Sequence, residues 1–187
     1  MAFTFVSGNL ALDLAGTVKH RDTAPEDLLS SPMLLREWLA AAGLVDSPPL
    51  VSEAEFARAL EVREAVYRLA LASATGGRRS QDDVDVINAA AAAAPVTVLL
   101  SPAGLRREGT ADAIVATLAR AAVVLLGGPD AARIRECEDS LCTRLFVDAS
   151  RAGSRRWCEM SGCGNRTKAA GFRARHSASL PSHGARR

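Results

Sequence analysis

Apolar residues recur every three or four positions through most of the N-terminal two thirds of the chain, which is the spacing of amphipathic helices. Residues 81–94 form an alanine-rich helical stretch that ends before Pro95, and residues 26–29 read as a short helix opened by Pro25. The other predicted helices begin where a hydroxyl side chain can cap the first turn, at Ser7, Ser31, Ser52 and Thr110.

Short apolar runs between the helical stretches predict a few strands. Residues 96–100 and 105–108 read as a hairpin with its turn at Ser101 to Gly104, and residues 3–6 read as a single strand. The predicted fold class is therefore mainly α with small antiparallel β elements, an α+β arrangement. No apolar run reaches the roughly 18 residues that a membrane span needs, so we expect no membrane association.

All four cysteines lie in the last third of the chain, as two Cys-x4-Cys pairs. Four thiolates can close a tetrahedral shell around one Zn2+, and such a closed shell is usually structural. Other metal or redox use is an alternative, and so are two disulfides, which need an oxidising compartment. Because the N-terminus lacks the basic start of an export signal, we expect a cytoplasmic protein. In that compartment the four thiols would bind one zinc ion per chain. The predicted ligands are Cys137, Cys142, Cys158 and Cys163.

The residues between the two cysteine pairs predict a hairpin. The stretch from Arg144 to Ser150 alternates in character, Gly153 permits a turn, and the chain then returns to Cys158. Such a hairpin would bring the second cysteine pair beside the first and build a compact zinc module.

A helix is predicted over residues 166–175, after a cap at Asn165. Ala169 and Phe172 share a narrow apolar strip, through which we expect the helix to pack on the zinc module. Cations flank this strip, and two more arginines precede the second cysteine pair. The candidate DNA contacts are Arg155, Arg156, Arg166, Lys168, Arg173 and Arg175.

Charge is distributed unevenly along the chain. Residues 1–130 carry 11 Lys and Arg against 16 Asp and Glu, a balance of −5, whereas residues 131–187 carry 12 against 5, a balance of +7. This asymmetry favours an anionic partner such as DNA for the C-terminal part. Docking of the basic module on the acidic body is the alternative.

The C-terminal residues closely resemble the CGNR zinc finger, and the resemblance centres on Trp157-Cys158-x4-Cys163-Gly164-Asn165-Arg166. The preceding body resembles the ABATE domain of stress-induced transcription regulators, with Leu12-Asp13-Leu14-Ala15-Gly16-Thr17-Val18 as its most recognisable segment. The chain departs from the family pattern at Gly16, where Asn is frequent. The resemblance implies zinc held by the four cysteines, DNA binding by the finger, and ligand sensing by the body. The turn residues Gly127-Gly128-Pro129-Asp130 mark the domain boundary, so we divide the chain into a body over residues 1–128, a finger over residues 129–176, and a flexible basic tail over residues 177–187.

One polar stripe interrupts the first helix. Asn9, Asp13 and Thr17 fall at i, i+4 and i+8, so they share a face, and Arg63 is a candidate counter-charge for Asp13. These four residues form a candidate small-molecule site. The alternative is a buried hydrogen-bond network or helix capping.

No catalytic arrangement is recognisable, so we expect that the chain is not an enzyme. The three histidines fall in a loop and in the tail, and no cysteine remains as a nucleophile if all four bind metal. The leading hypothesis is a DNA-binding transcription regulator whose body senses a small molecule or forms a homodimer. The alternatives are a zinc-stabilised protein-interaction module and a small-molecule-binding protein with an accessory finger.

Overall fold

The computed structural model describes the backbone of residues 3–178 and side chains as far as Arg173. The predicted tail, residues 177–187, therefore lies outside the described residues apart from its first two positions. The described chain consists of helices and three two-stranded antiparallel sheets, which confirms the predicted α+β class.

The helices are α1 Leu10–Ala15, α2 Pro32–Ala41, α3 Glu53–Thr75, α4 Gln81–Ala92, α5 Ala111–Gly127 and α6 Asn165–Ala178. The strands are β1 Val18–Lys19, β2 Glu26–Asp27, β3 Thr97–Ser101, β4 Gly104–Glu108, β5 Ile134–Glu136 and β6 Leu145–Val147. A 3₁₀ helix covers Pro129–Arg133, and a π-helical turn covers Met160–Gly164. None of the described helices combines the length and apolar character that a membrane crossing requires.

The helical body is built around the long helix α3, which packs against α1, α4 and α5. The predicted capping box is confirmed, because Ser52 Oγ accepts a hydrogen bond from the Glu55 N–H and the Glu55 carboxylate accepts one from the Ser52 N–H. Gly76 ends the helix in the left-handed conformation, with a φ of 70°. Trp38 and Leu118 are among the fully buried side chains of the core.

Two predictions for the N-terminal region are wrong. Residues 3–6 form no strand, and α1 is capped by Asn9, whose side chain accepts a hydrogen bond from the Ala11 N–H, rather than by Ser7. The carboxylate of Asp13 accepts hydrogen bonds from the N–H groups of Val6 and Ser7 at 3.0 and 2.9 Å. A side chain therefore satisfies backbone groups that a neighbouring strand would otherwise bind.

The short helix predicted over residues 26–29 is also wrong. Glu26 and Asp27 pair with Lys19 and Val18 as a two-residue antiparallel ladder, which the Leu28 N–H extends to the Thr17 carbonyl at 3.0 Å. A proline fixes one φ angle but supplies no helical hydrogen bonds, so the nearby strand β1 determines the conformation.

The hairpin predicted between the two cysteine pairs is replaced by a different one. Strand β6 pairs with β5, which precedes Cys137, so the first cysteine pair lies at the tip of the hairpin. Asn165 is not a cap, because the π-helical turn runs directly into α6 and Asn165 has helical φ and ψ of −70° and −39°. Ala169 and Phe172 are both exposed, and Phe172 retains 55% of its accessible surface, so the strip is not buried in the core of the module.

Strand β6 contributes to two cores at once. Leu145 and Val147 pack with Ile134 of β5 into the core of the helical body. Phe146 points to the opposite face and packs with the cysteines and Trp157. Alternate side chains of one strand therefore join the cysteine-rich module to the body.

Candidate metal centre and basic surface

The first cysteine pair is shaped by the tip of the β5–β6 hairpin. The Cys137 N–H donates to the Arg144 carbonyl at 3.0 Å, which continues the ladder by one step. The Cys142 N–H donates to the Asp139 carbonyl at 2.7 Å, and the Leu141 N–H donates to Asp139 Oδ1 at 3.2 Å. This tight knuckle turns both thiols toward the same point.

The second cysteine pair is delivered by an irregular loop that Asp148 organises. Its carboxylate accepts hydrogen bonds from the N–H groups of Ser150 and Arg155 at 2.9 and 3.0 Å, and hydrogen bonding from Ser150, then from Arg155, holds its pKa below the ordinary value. The Glu138 N–H donates to the Arg156 carbonyl at 2.9 Å, so the returning chain lies beside the knuckle. The second pair thus arrives without the predicted hairpin.

The last ligand lies on the π-helical turn. The Gly164 N–H donates to the Glu159 carbonyl at 3.0 Å, which widens the turn around Cys163. A Cβ atom on Gly164 would lie 2.6 Å from Met160 Sδ, so a larger residue here would have to displace the exposed Met160 side chain.

The four Sγ atoms form one compact cluster, all within 4.8 Å of one another. Cys158 Sγ lies 3.8 Å from Cys142 Sγ and 3.6 Å from Cys163 Sγ. A tetrahedron of Zn–S bonds of about 2.3 Å has S···S edges of about 3.8 Å, whereas a disulfide needs about 2.05 Å. The donor set and its spacing therefore fit one tetrahedral zinc ion.

The thiols also show why a dication suits this site. Hydrogen bonds from Cys142 and Cys158 lower the pKa of Cys137, which becomes the preferred thiolate. The hydrogen bonds to Cys137 raise the pKa values of Cys142 and Cys158, and burial raises that of Cys163. Without metal, one thiol of the cluster ionises readily, and its negative charge disfavours ionisation of the other three. Zn2+ replaces their protons and stabilises the thiolates by its positive charge.

A second layer of contacts supports the ligands. Arg166 Nη2 lies 3.0 Å from Cys163 Sγ, and Arg166 Nε donates to Asp139 Oδ2 at 2.8 Å. Asp139 is buried and belongs to the knuckle of the first pair. One arginine thus ties the two halves of the metal centre together, as outer-shell partners commonly do.

Arg155 is held by contacts within the finger and by one hydrogen bond to the body. Its guanidinium lies 4.5 Å from the ring centroid of the fully buried Phe146. It donates to the carbonyls of Trp157 at 2.9 Å, Val6 at 3.0 Å and Cys158. These contacts give Arg155 a structural role in the folded protein.

The other predicted DNA contacts are more accessible. Arg156 pairs with Glu138 at 2.5 Å and lies 4.9 Å from the Trp157 ring centroid, yet its side chain is 59% exposed. Lys168 and Arg173 are exposed on α6, and the side chain of Arg175 lies outside the described residues. Their role as DNA contacts remains a prediction.

The predicted ligand site in the body is not assembled as expected. Asp13 does face an arginine, but this is Arg144 of the finger at 3.7 Å and not Arg63. Arg144 also donates to the carbonyls of Thr4 and Gly16, each at 3.2 Å. Burial raises the pKa of Asp13, and hydrogen bonds from Ser7 and the charge of Arg144 oppose that rise.

Arg63 belongs to a separate network on the other side of Thr17. It pairs with both oxygens of Asp27 at 2.7 and 2.9 Å, with Glu64 at 2.9 Å, and with Thr17 Oγ1 at 3.4 Å. The Thr17 hydroxyl donates to the Leu14 carbonyl at 2.7 Å. The Asn9 side chain caps α1 and lies 3.4 Å from the Ala121 carbonyl. These contacts favour the alternative of a buried hydrogen-bond network.

Sequence reasoning missed Arg144 and Asp139, which hold the finger to the body and the ligands to each other. The position of Asp139 between the first two cysteines could have indicated a role in supporting the metal ligands. Arg144 gave no such signal, because its partners are contributed by residues 4–16 at the other end of the chain.

Comparison with known families agrees with this geometry. The ABATE family model, described as "Putative stress-induced transcription regulator", matches residues 8–129. The CGNR zinc finger model matches residues 133–176, which include all four cysteines, so the cluster is the site of one structural zinc ion. A comparison with curated proteins found no match. The chain belongs to the ABATE family and carries a C-terminal CGNR zinc finger.

Proposed function

We propose that the chain is a DNA-binding transcription regulator in which the finger contacts DNA mainly through phosphates. The observation that carries the proposal is the character of α6. This helix has four cations and no acidic residue, and it packs mainly against the π-helical turn before it. The cationic side chains described on it, Arg166, Lys168 and Arg173, are therefore exposed at the surface of the finger.

The proposed contacts differ in the structural roles that their side chains also play in the finger. Because the π-helical turn continues into α6, the first N–H groups of α6 are not free to bind a phosphate, and side chains must supply the contacts. Lys168, Arg173 and Arg156 are suited to this role. Arg166 would contact DNA while it supports Cys163, and Arg155 would position the loop that carries Arg156.

The test is a titration of fluorescent duplex DNA with zinc-loaded protein over a series of salt concentrations. Lys168→Ala should weaken binding and reduce the slope of log K against log salt by about 0.9, the share of one phosphate contact. Arg78→Ala removes an exposed cation from the body and should change neither quantity. Absence of salt-dependent affinity in the unaltered protein would reject the proposal in favour of a protein-interaction module.

A second function for the body is favoured by a groove of about 520 Å³ between α3, α4 and α5. The buried Val62 and Val115 and the half-buried Val86 line it, together with the exposed Glu61 and Asp85. We propose that a small molecule sensed by the body binds in this groove and that the protein performs no catalysis.

Nile red fluorescence should rise with the unaltered protein and with Val124→Trp on an exposed position of α5, but not with Ala90→Trp, which fills the groove. Equal fluorescence with Ala90→Trp would exclude the groove.

A further inference from the structure

The hairpin of β3 and β4 exposes an unusual amount of apolar surface. Val98, Leu100 and Leu105 retain 63%, 91% and 53% of their accessible surface. They lie on one face of the hairpin, because Leu100 pairs with Leu105 and Val98 stands two residues before Leu100. A two-stranded hairpin with such a face is only marginally stable by itself.

The outer edge of β4 is already occupied. The Arg107 N–H donates to Asp46 Oδ2 at 3.0 Å, and the Arg107 carbonyl accepts from the Asp46 N–H at 3.1 Å. Arg107 pairs with Val98, so both residues must direct their backbone groups away from each other. By the alternation of an antiparallel ladder, Leu100 on β3 also directs its N–H and C=O outward.

The outer edge of β3 is open. The Val96 N–H donates to Thr117 Oγ1 of α5 at 2.9 Å, and the next outward residues are Val98 and Leu100. Within residues 3–178, no hydrogen bond reaches the outward backbone groups of either residue. The strand itself, Thr97–Ser101, contains neither a charge nor a proline, the devices that usually protect an edge.

We propose that β3 pairs with β3 of a second copy of this chain, antiparallel across a two-fold axis at Leu99. In this register Val98 stands opposite Leu100 of the second copy, and the outward groups of both residues form four hydrogen bonds across the axis. The two hairpins join into one four-stranded sheet, and the apolar side chains of Val98 and Leu100 become cross-strand neighbours of their counterparts.

The charge pattern favours a second copy over an unrelated strand. All the charged residues of the hairpin, Arg106, Arg107 and Glu108, lie on β4 and would stay at the outer edges of the joined sheet. The self-pairing edge is uncharged, so like charges do not oppose each other. Because a five-residue edge buries less area than a typical stable interface, we expect a dissociation constant on the order of micromolar.

Disulfide trapping tests the register. Leu99 faces Leu99 of the second copy as a non-hydrogen-bonded pair, in which side chains are closest. Zinc-loaded Leu99→Cys should form a covalent dimer under mild oxidation, seen on a non-reducing gel. Leu105→Cys, at a similarly exposed position on β4, should not. Equal trapping of both variants, or none of Leu99→Cys, would overturn the proposal.

Sedimentation equilibrium without DNA tests the edge itself. The unaltered protein should be dimeric at about 50 µM, well above a micromolar dissociation constant. Leu100→Pro removes an outward N–H from β3 and should give a folded monomer, whereas Leu105→Pro removes the equivalent N–H from β4 and should remain a dimer. Far-ultraviolet circular dichroism confirms that both variants fold. A monomeric unaltered protein would overturn the proposal without affecting the case for DNA binding.

Discussion

The guanidinium of Arg155 lies between the Phe146 ring and three backbone carbonyls, two of which flank the ligand Cys158. Removal of the side chain would leave these carbonyls without donors, at a cost of about 1–3 kcal/mol. We therefore expect Arg155→Ala to lower both the melting temperature and the affinity for zinc, measured by competition with a chromogenic chelator. Arg151→Ala, in the exposed part of the same loop, should change neither. Normal stability with lost DNA binding would show that Arg155 is a DNA contact.

Gly16 and Arg144 are fitted to each other. A Cβ atom at position 16 would lie 2.6 Å from Arg144 Nη1, so Gly16→Ala must displace the guanidinium from Asp13 and the carbonyls it contacts. We expect Gly16→Ala to destabilise the protein by about 1–3 kcal/mol, as measured by urea denaturation. Gly127→Ala, where a Cβ has open space, should not destabilise the protein, because alanine also has the higher helix propensity.

A double-mutant cycle identifies the cause of that loss. If displacement of Arg144 is responsible, Gly16→Ala should add little destabilisation to Arg144→Ala. Additive losses would assign the effect to the backbone, since the Leu12 carbonyl also lies 3.3 Å from the added atom.

These residues mark where prediction from the sequence succeeds and fails. The four metal ligands were predictable because cysteine is rare and its spacing is informative. The partner of Asp13 was not, because any arginine in the sequence can reach a buried carboxylate that the fold places near it. The long methylene stem lets Arg144 cross from the finger to the body, and only the tertiary structure specifies its end point.

Strand β6 is the element that couples the finger to the body. Leu145 is 2% exposed and packs in the body core, while the adjacent Phe146 packs on the cysteines. Leu145→Ala should cost about 2–5 kcal/mol, and it should also weaken zinc binding, because the strand that positions Phe146 loses its support. Thermal melting and chelator competition measure the two effects. Val124→Ala on the exposed face of α5 is the matched control, and unchanged zinc affinity in Leu145→Ala would contradict the coupling.

Elements with strong local signals were predicted well. Helix α3 has a capping box, a long amphipathic repeat and a terminal glycine, all of which act within the element. Strands β1, β5 and β6 have two or three residues each, and their partners rather than their composition determine them. For this reason the sequence predicts that β6 pairs with the chain that returns to Cys158, whereas it pairs with β5 before Cys137.

The finger and the body form one folded unit, joined by the shared strand β6, by Arg144 on Asp13, and by Arg155 on the Val6 carbonyl. An independent zinc finger unfolds without metal and leaves its neighbour unaffected. Here we expect removal of zinc by a chelator to lower the melting temperature of the entire molecule in a single calorimetric transition. Two separate transitions, with the body unchanged, would show that the contacts do not couple the two parts.

The contacts between the finger and the body also determine how many protons zinc displaces when it binds. If the body keeps the metal-free cluster together, the lowered pKa of Cys137 leaves it a thiolate at neutral pH, and the other three thiols, whose pKa values are raised, remain protonated. Zinc must expel those three protons, so its affinity should rise with pH, by up to about 1,000-fold per unit. Titration calorimetry in buffers of different ionisation enthalpy should give about three protons per zinc. Release of about four would show that the cluster disperses without metal, since dispersed thiols have ordinary pKa values near 8.5.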